Sequence, residues 1–242
     1  MKLLCIESST STASVALFDH SGLLVESVFL DDSRKHSQVV LPSVDRMLAA
    51  AKMKPSDLDG VAATRGPGSF TSVRVCLATA WGLARALGIP LYAVDTLEVL
   101  SRAAQDTCRR RQVPGPTMVL SALDARRDQV YAALYEGQGQ GNAVVAPAAF
   151  DPPDLVAAVG AREGVMVLGD GALRYREVFE QAGFTVPEHP DFHRLRASLV
   201  GRAVLRHPPH YHQNGMPEPL YLRKSEAERA QEGRPNPGAA NP

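Results

Sequence analysis

Residues 3–30 read LLCIESSTSTASVALFDHSGLLVESVFL, and this stretch decides the fold. Leu3–Ile6 and Ser14–Phe18 are short β-rich runs on either side of a Ser/Thr-rich turn, Glu7–Thr12. Leu23–Leu30 makes a third run after the turn at His20-Ser21-Gly22. Working outward, Ser37 to Ala51 predicts a helix, with Val40, Val44, Met47 and Ala51 in one stripe and Leu41 and Leu48 widening it. Leu58–Ala63 is the next strand, Gly66-Pro67-Gly68 a loop, and Thr71–Leu87 a second helix stopped by Gly88 and Pro90. The order is β-β-β-α-β-α.

The second half repeats that order. Met118–Leu123, Val130–Tyr135 and Val144–Val145 are its strands, and Asp151 caps a helix with Pro152 at its first position, running to Val159. Val165–Leu168 is a strand, and Gly171 to Ala182 a helix ended by Gly183. Between the units lies a helix, Thr96–Arg111, and after them another near Arg196–Leu205. A Pro/His stretch, His207–Pro219, is expected as an exposed linker, and Leu220–Leu222 as a short apolar segment. From Ser225 onward nothing larger than Ala is apolar, so the tail is expected to be disordered. Two such units imply a duplicated α/β fold of the actin-like, ribonuclease H-like kind, which binds ligands between its halves. The expected division is 1–100, 101–223 and a tail, 224–242.

With 242 residues, 26 basic against 26 acidic, and 45% hydrophobic residues, the chain has material for a real core and lacks the basic excess of a typical nucleic-acid binder. Its three cysteines, Cys5, Cys76 and Cys108, are too far apart for a disulfide framework or a zinc knuckle. Glu7 interrupts the N-terminal apolar run too early for a signal peptide, and Arg85 breaks the longest apolar region, Val73–Ile89. A soluble, cytoplasmic protein is expected.

Chemistry has few places to sit. The turn Glu7-Ser8-Ser9-Thr10-Ser11-Thr12 offers hydroxyls and N–H groups to phosphate and a carboxylate to Mg²⁺, or is a polar hairpin with local bonds only. The matching hairpin, Asp124-Ala125-Arg126-Arg127-Asp128, either clasps an anion or pairs its own charges. Gly169-Asp170-Gly171 either admits a nucleoside or is a plain tight turn. Gly66, Gly68 and Ser69 stand at a helix start, an anion site in principle, or form a loop seating Phe70. His207, His210 and His212 are separated by Pro208 and Pro209, and no Glu-x-x-His pair exists, so no metal site is expected. No serine or cysteine has a nucleophile-elbow setting.

Leu4-Cys-Ile-Glu-Ser-Ser-Thr, Ser14-Val-Ala-Leu-Phe, Arg34-Lys-His-Ser, Arg65-Gly-Pro-Gly-Ser-Phe-Thr-Ser-Val-Arg74, Asp124-Ala-Arg-Arg-Asp-Gln-Val-Tyr131 and Glu218-Pro-Leu-Tyr-Leu-Arg223 together resemble the bacterial TsaB family. The resemblance covers residues 1–223. It implies a non-catalytic dimerisation subunit, once grouped with glycoproteases, of the system forming N6-threonylcarbamoyladenosine at position 37 of tRNA. The implied partners are TsaD, as a heterodimer, and the ATPase TsaE, with a homodimer possible when alone and tRNA reached through the complex. No cofactor is required on this reading, and ATP or ADP binding is at most vestigial. Thr96 and Leu100 stand where the TsaD family carries its metal-binding His-x-x-x-His pair. Two positions depart from the TsaB pattern: Glu7 replaces the commoner Asp, and Ser72 a glycine.

The helix Thr71–Leu87 has almost no polar face. Val73, Leu77, Ala80, Ala84 and Leu87 mark one side; Val75, Ala78, Thr79, Gly82 and Ala86, mostly small, mark another. Either the helix is sandwiched within this chain, or it forms a partner interface with Val40, Val44, Met47 and Ala51 beside it, the arrangement TsaB-like proteins resemble. The rival functions are an actin-fold sugar or acetate kinase, a metalloprotease, and a direct tRNA binder using Arg109–Arg111 and Arg126–Arg127.

Overall fold

The computed structural model describes residues 1–30, 36–137, 143–206, 211–212 and 215–223. In β1 (Leu3–Glu7) every side chain is buried. A strand buried on both faces needs cover on both. Leu4 and Ile6 enter one cluster with Val40, Val44, Met47 and Leu77. Leu3 and Cys5 enter another with Phe18, Leu97, Leu100 and Val200.

The chain continues through β2 (Thr12–Asp19), β3 (Gly22–Leu30), α1 (His36–Ala50), β4 (Gly60–Thr64), α2 (Phe70–Leu87), β5 (Leu91–Val94) and α3 (Thr96–Arg111). The second unit has β6 (Met118–Arg126), β7 (Gln129–Glu136), β8 (Val145–Phe150), α4 (Pro152–Val159), β9 (Val165–Leu168), α5 (Asp170–Arg174) and α6 (Arg176–Gln181). Last come α7 (Ala197–Arg206) and β10 (Tyr211–His212). The sheets are ordered β10-β5-β4-β1-β2-β3 and β8-β7-β6-β9. In each, two antiparallel hairpin partners lie on one side of the first strand and a parallel strand on the other. That is the duplicated, actin-like α/β architecture expected. A parallel bridge between Met166 and Thr185 stands where the second sheet would gain its fifth strand.

Five layers result. α1 and α2 cover the outer face of the first sheet, and α4 to α6 that of the second. Between the sheets lie α3 and α7. Gly201 lets α7 sit on the Phe18 ring, where a methyl would collide. The α7 N-terminus is held by the first sheet: Ser14 Oγ accepts the Ala197 N–H at 2.7 Å, and the Glu26 carboxylate accepts the Ser198 N–H at 2.8 Å and its hydroxyl at 2.9 Å. A carboxylate there satisfies free N–H groups and favours the helix dipole.

Several expectations change. The boundary at residue 100 cuts α3, which packs on both sheets, and α7 and β10 return to the first sheet, so the halves are not consecutive in sequence. The helix expected from Gly171 to Ala182 breaks at Tyr175 (φ −113°, ψ 30°) into α5 and α6. β8 runs on to Phe150, with Pro147 tolerated because it is an edge strand. Within the presumed Pro/His linker, Tyr211 and His212 pair with Tyr92 and Leu91 of β5. His207, His210 and the tail from Lys224 lie outside the described residues.

Candidate functional site

The C-terminal ends of the parallel strands β1, β4 and β5 converge, the edge where open α/β sheets place ligands. Glu7, closing β1, is fully buried. Its Oε1 accepts the Ser9 N–H at 2.7 Å, the Ser9 hydroxyl and, at 3.4 Å, the Thr64 hydroxyl. Oε2 has no hydrogen-bond partner among the described residues. Burial pushes the carboxyl up to about 7, the Ser9 and Thr64 bonds pull it down, and Asp170 of the second half adds repulsion. The neighbouring Cys76 thiol is raised to about 12 by burial and by Glu7, which leaves it an inert thiol at neutral pH.

The loop before α2 is pressed onto this turn. The Ser9 carbonyl accepts the Ser69 N–H at 2.8 Å, and a methyl on Gly68 would collide with the same oxygen. Ser69 thus uses within the chain the N–H an anion would need. Gly66 has φ +106°, and a Cβ there would lie 2.7 Å from the Leu220 carbonyl oxygen. Arg65 pairs with Asp95 at 2.6 Å, and its carbonyl accepts the Leu220 N–H at 2.7 Å. Ser72 is buried, its hydroxyl unpartnered among the described residues.

The segment from Leu220 spans the two halves. The Tyr221 ring stacks on Phe70 with centroids 4.4 Å apart, and the Arg74 guanidinium lies 3.7 Å over Phe70. Two residues on, Arg223 donates to the Ala125 carbonyl at 2.9 Å and to Gln129 Oε1 at 3.1 Å, on the second sheet's hairpin. There Asp124 takes Arg174 at 3.1 Å and Arg126 at 3.7 Å, while Asp128 takes Arg174 at 3.5 Å. Charge pairing is present in this hairpin, and its principal cation, Arg174, had no signal in the sequence. Gly169 and Gly171 lie on β6: a methyl on either would crowd the Ala122 carbonyl oxygen. The room left by their missing side chains is filled by that strand.

α1 and α2 divide the expected interface residues. Val40, Val44 and Met47 are at most 3% exposed, turned into the chain's own core, and so are not available to a partner. A stripe at helical spacing faces the nearest sheet first, and β1 and β2 claim this one. Ala51 and Val75 are half-buried, as is Thr79, whereas Ala78, Gly82 and Ala86 are exposed. A Cβ on Gly82 would meet nothing within 4 Å. On α3, Thr96 and Leu100 are buried between the sheets, the Thr96 hydroxyl unpartnered among the described residues.

Two facing sheets of one repeated design, with polar strand ends between them, define an actin-like two-subdomain protein. The chain matches the family model described as TsaD, tRNA N6-adenosine threonylcarbamoyltransferase, over residues 31–231. It is 31% identical to a Pseudomonas aeruginosa protein of known structure described as similar to the peptidase YeaZ, covering 92% of this chain and 99% of that one with a TM-score of 0.70. Against the tRNA threonylcarbamoyladenosine biosynthesis protein TsaB of Escherichia coli it is 37% identical over 141 residues, 58% of each chain. Against TsaB of Bacillus subtilis the identity is 34% over 56% of each. The match spans little more than half the length of these two relatives. The chain belongs to the TsaB family, within the TsaD-like group.

Proposed function

We propose that the chain is the non-catalytic dimerisation subunit of the complex that makes N6-threonylcarbamoyladenosine in tRNA, pairing with TsaD and working with TsaE. The observation that carries this reading is the outer face of α2, where Ala78, Gly82 and Ala86 are exposed in line and Gly82 looks onto open space. Small residues spaced four apart allow a second helix close approach. Residues 96 and 100, threonine and leucine, supply no imidazole, in keeping with a subunit that leaves the transfer to TsaD. The Ser9–Ser69 contact and the paired second hairpin support a chain that needs no nucleotide of its own.

Mixing the purified chain with TsaD from the same source tests this directly. A one-to-one complex by gel filtration is expected, with tRNA modification only when both are present. Modification by the chain alone, or failure of the two to associate, overturns the reading.

A further inference from the structure

α3 and α7 run in opposite directions, and two acids tie them together. Asp106 on α3 takes Arg206, at the end of α7, at 2.7 Å and Arg109 at 3.5 Å. Asp191, in the turn Pro190–Phe192 before α7, takes Arg111, at the end of α3, and Arg196 at 3.4 Å. Each carboxylate thus bridges a guanidinium from the α3 side and one from the α7 side.

Between the two bridges the pattern fails. One turn on from Asp106 is Arg110, and one turn back from Arg206 is Arg202, so the antiparallel register sets these two arginines side by side. Arg110 donates to the Thr107 hydroxyl at 3.1 Å, and neither arginine has an ion-pair partner among the described residues. Desolvation and then the Arg202 charge hold the Arg110 guanidinium below its ordinary value, while Asp106 and Asp191 pull it up. Two facing cations lack the anion that their neighbours share.

The surroundings select the anion. Asp106 and Asp191 both act on Arg110, so a run of phosphates would meet a carboxylate at either end of the gap, whereas one further carboxylate completes the row. The gap is also rimmed by apolar side chains: Val113, just past α3, is 43% exposed, and Leu205, three residues from Arg202 on α7, is 37% exposed. Every cation in the cluster is arginine, the one that protein interfaces favour over lysine.

We propose that this end of the molecule, centred on Arg110 and Arg202, docks an acidic segment of a partner protein, which inserts one carboxylate between the two guanidiniums and lays apolar side chains on Val113 and Leu205. The site belongs to the layer between the sheets and not to the outer face of α2, so it does not depend on the pairing proposed above.

The test uses the full chain and a fluorescein-labelled helical peptide of glutamate, leucine and alanine, followed by anisotropy at low ionic strength, where exposed charges are least screened. Arg110→Ala and Arg202→Ala should each weaken binding roughly fivefold and the double variant no more than about tenfold, because one carboxylate bridging both guanidiniums is lost with either. Arg109→Ala removes the same charge from a residue already paired with Asp106, and should change binding less than about twofold. The same peptide with glutamine for glutamate should not bind. Circular dichroism checks that each variant is folded, and Arg202→Gln, which keeps most of the side-chain stem, repeats the measurement if Arg202→Ala melts lower. Equal losses from Arg109→Ala and Arg110→Ala would reveal a diffuse field and overturn the proposal, as would losses that multiply in the double variant. Tighter binding of inorganic phosphate or a single-stranded oligonucleotide through the same two arginines would make the site one for phosphate and overturn it too. So would a dimer of the chain that Arg110→Ala dissociates, since the occupant would then be a second copy.

Discussion

Glu7 shows how much one residue's setting matters. A carboxyl raised by burial from 4.5 to about 7 binds a proton in the folded state that the unfolded chain has already released. Its contribution to stability is therefore fully present below about pH 4.5 and lost as the pH rises through 7. The linkage amounts to about 3 kcal/mol at a little over 1 kcal/mol per unit. Glu7→Gln keeps the Ser9 and Thr64 bonds through its amide oxygen and removes the titration. Urea unfolding at pH 5 and pH 8 should show the wild type losing stability from this group across that interval and the variant losing less. Parallel curves for the two proteins would show that Glu7 does not titrate there. The sequence marked Glu7 as a strand-end acid, but its partner Thr64 lies 57 residues away and Asp170 in the other half, so neither partner nor protonation was legible.

At the scale of elements, α2 and α7 give separate predictions. Gly82→Arg in α2 meets open space in the isolated chain, and arginine favours helix over glycine by about 1 kcal/mol. The variant should remain folded, melt no lower than the wild type, and no longer pair with TsaD; normal pairing by pull-down would place the interface elsewhere. On α7, Glu26→Gln weakens a charged cap that accepts two hydrogen bonds and should cost about 1–2 kcal/mol in chemical denaturation. No loss would mean the Ser14 bond suffices. Periodicity made α1 and α2 legible, since Val40, Val44 and Met47 repeat as a helix must. It could not say which neighbour that stripe meets, and the sheet took it. β10 was hidden for another reason: two residues among histidines and prolines carry no period, and only the exposed edge of β5 makes them a strand. Likewise Arg174 acquires its role from a fold in which α5 lies beside the second hairpin.

Across the whole molecule, residues 220–223 tie the two duplicated units together. Leu220 hydrogen-bonds Arg65 on the first half, Tyr221 stacks on Phe70 there, Leu222 packs on the central core, and Arg223 binds Ala125 and Gln129 on the second half. Anchors in series behave differently from anchors in parallel. Once either end is released, the short segment between has little to hold it, so the second loss adds less. Arg223→Ala removes two hydrogen bonds from a charged donor, about 1–3 kcal/mol, and Tyr221→Ala about 1 kcal/mol of ring stacking beyond its buried area. The double variant should therefore lose less than the sum, with a coupling of at least about 0.5 kcal/mol. The local readout is the Leu220 amide, whose bond to the Arg65 carbonyl lies three residues from Arg223. Its hydrogen exchange should accelerate in Arg223→Ala even where global unfolding is unaffected, because a local opening needs only the segment to detach. Additive losses with unchanged exchange at Leu220 would mean that the two ends hold independently, and that the halves are joined through α3 and α7 alone.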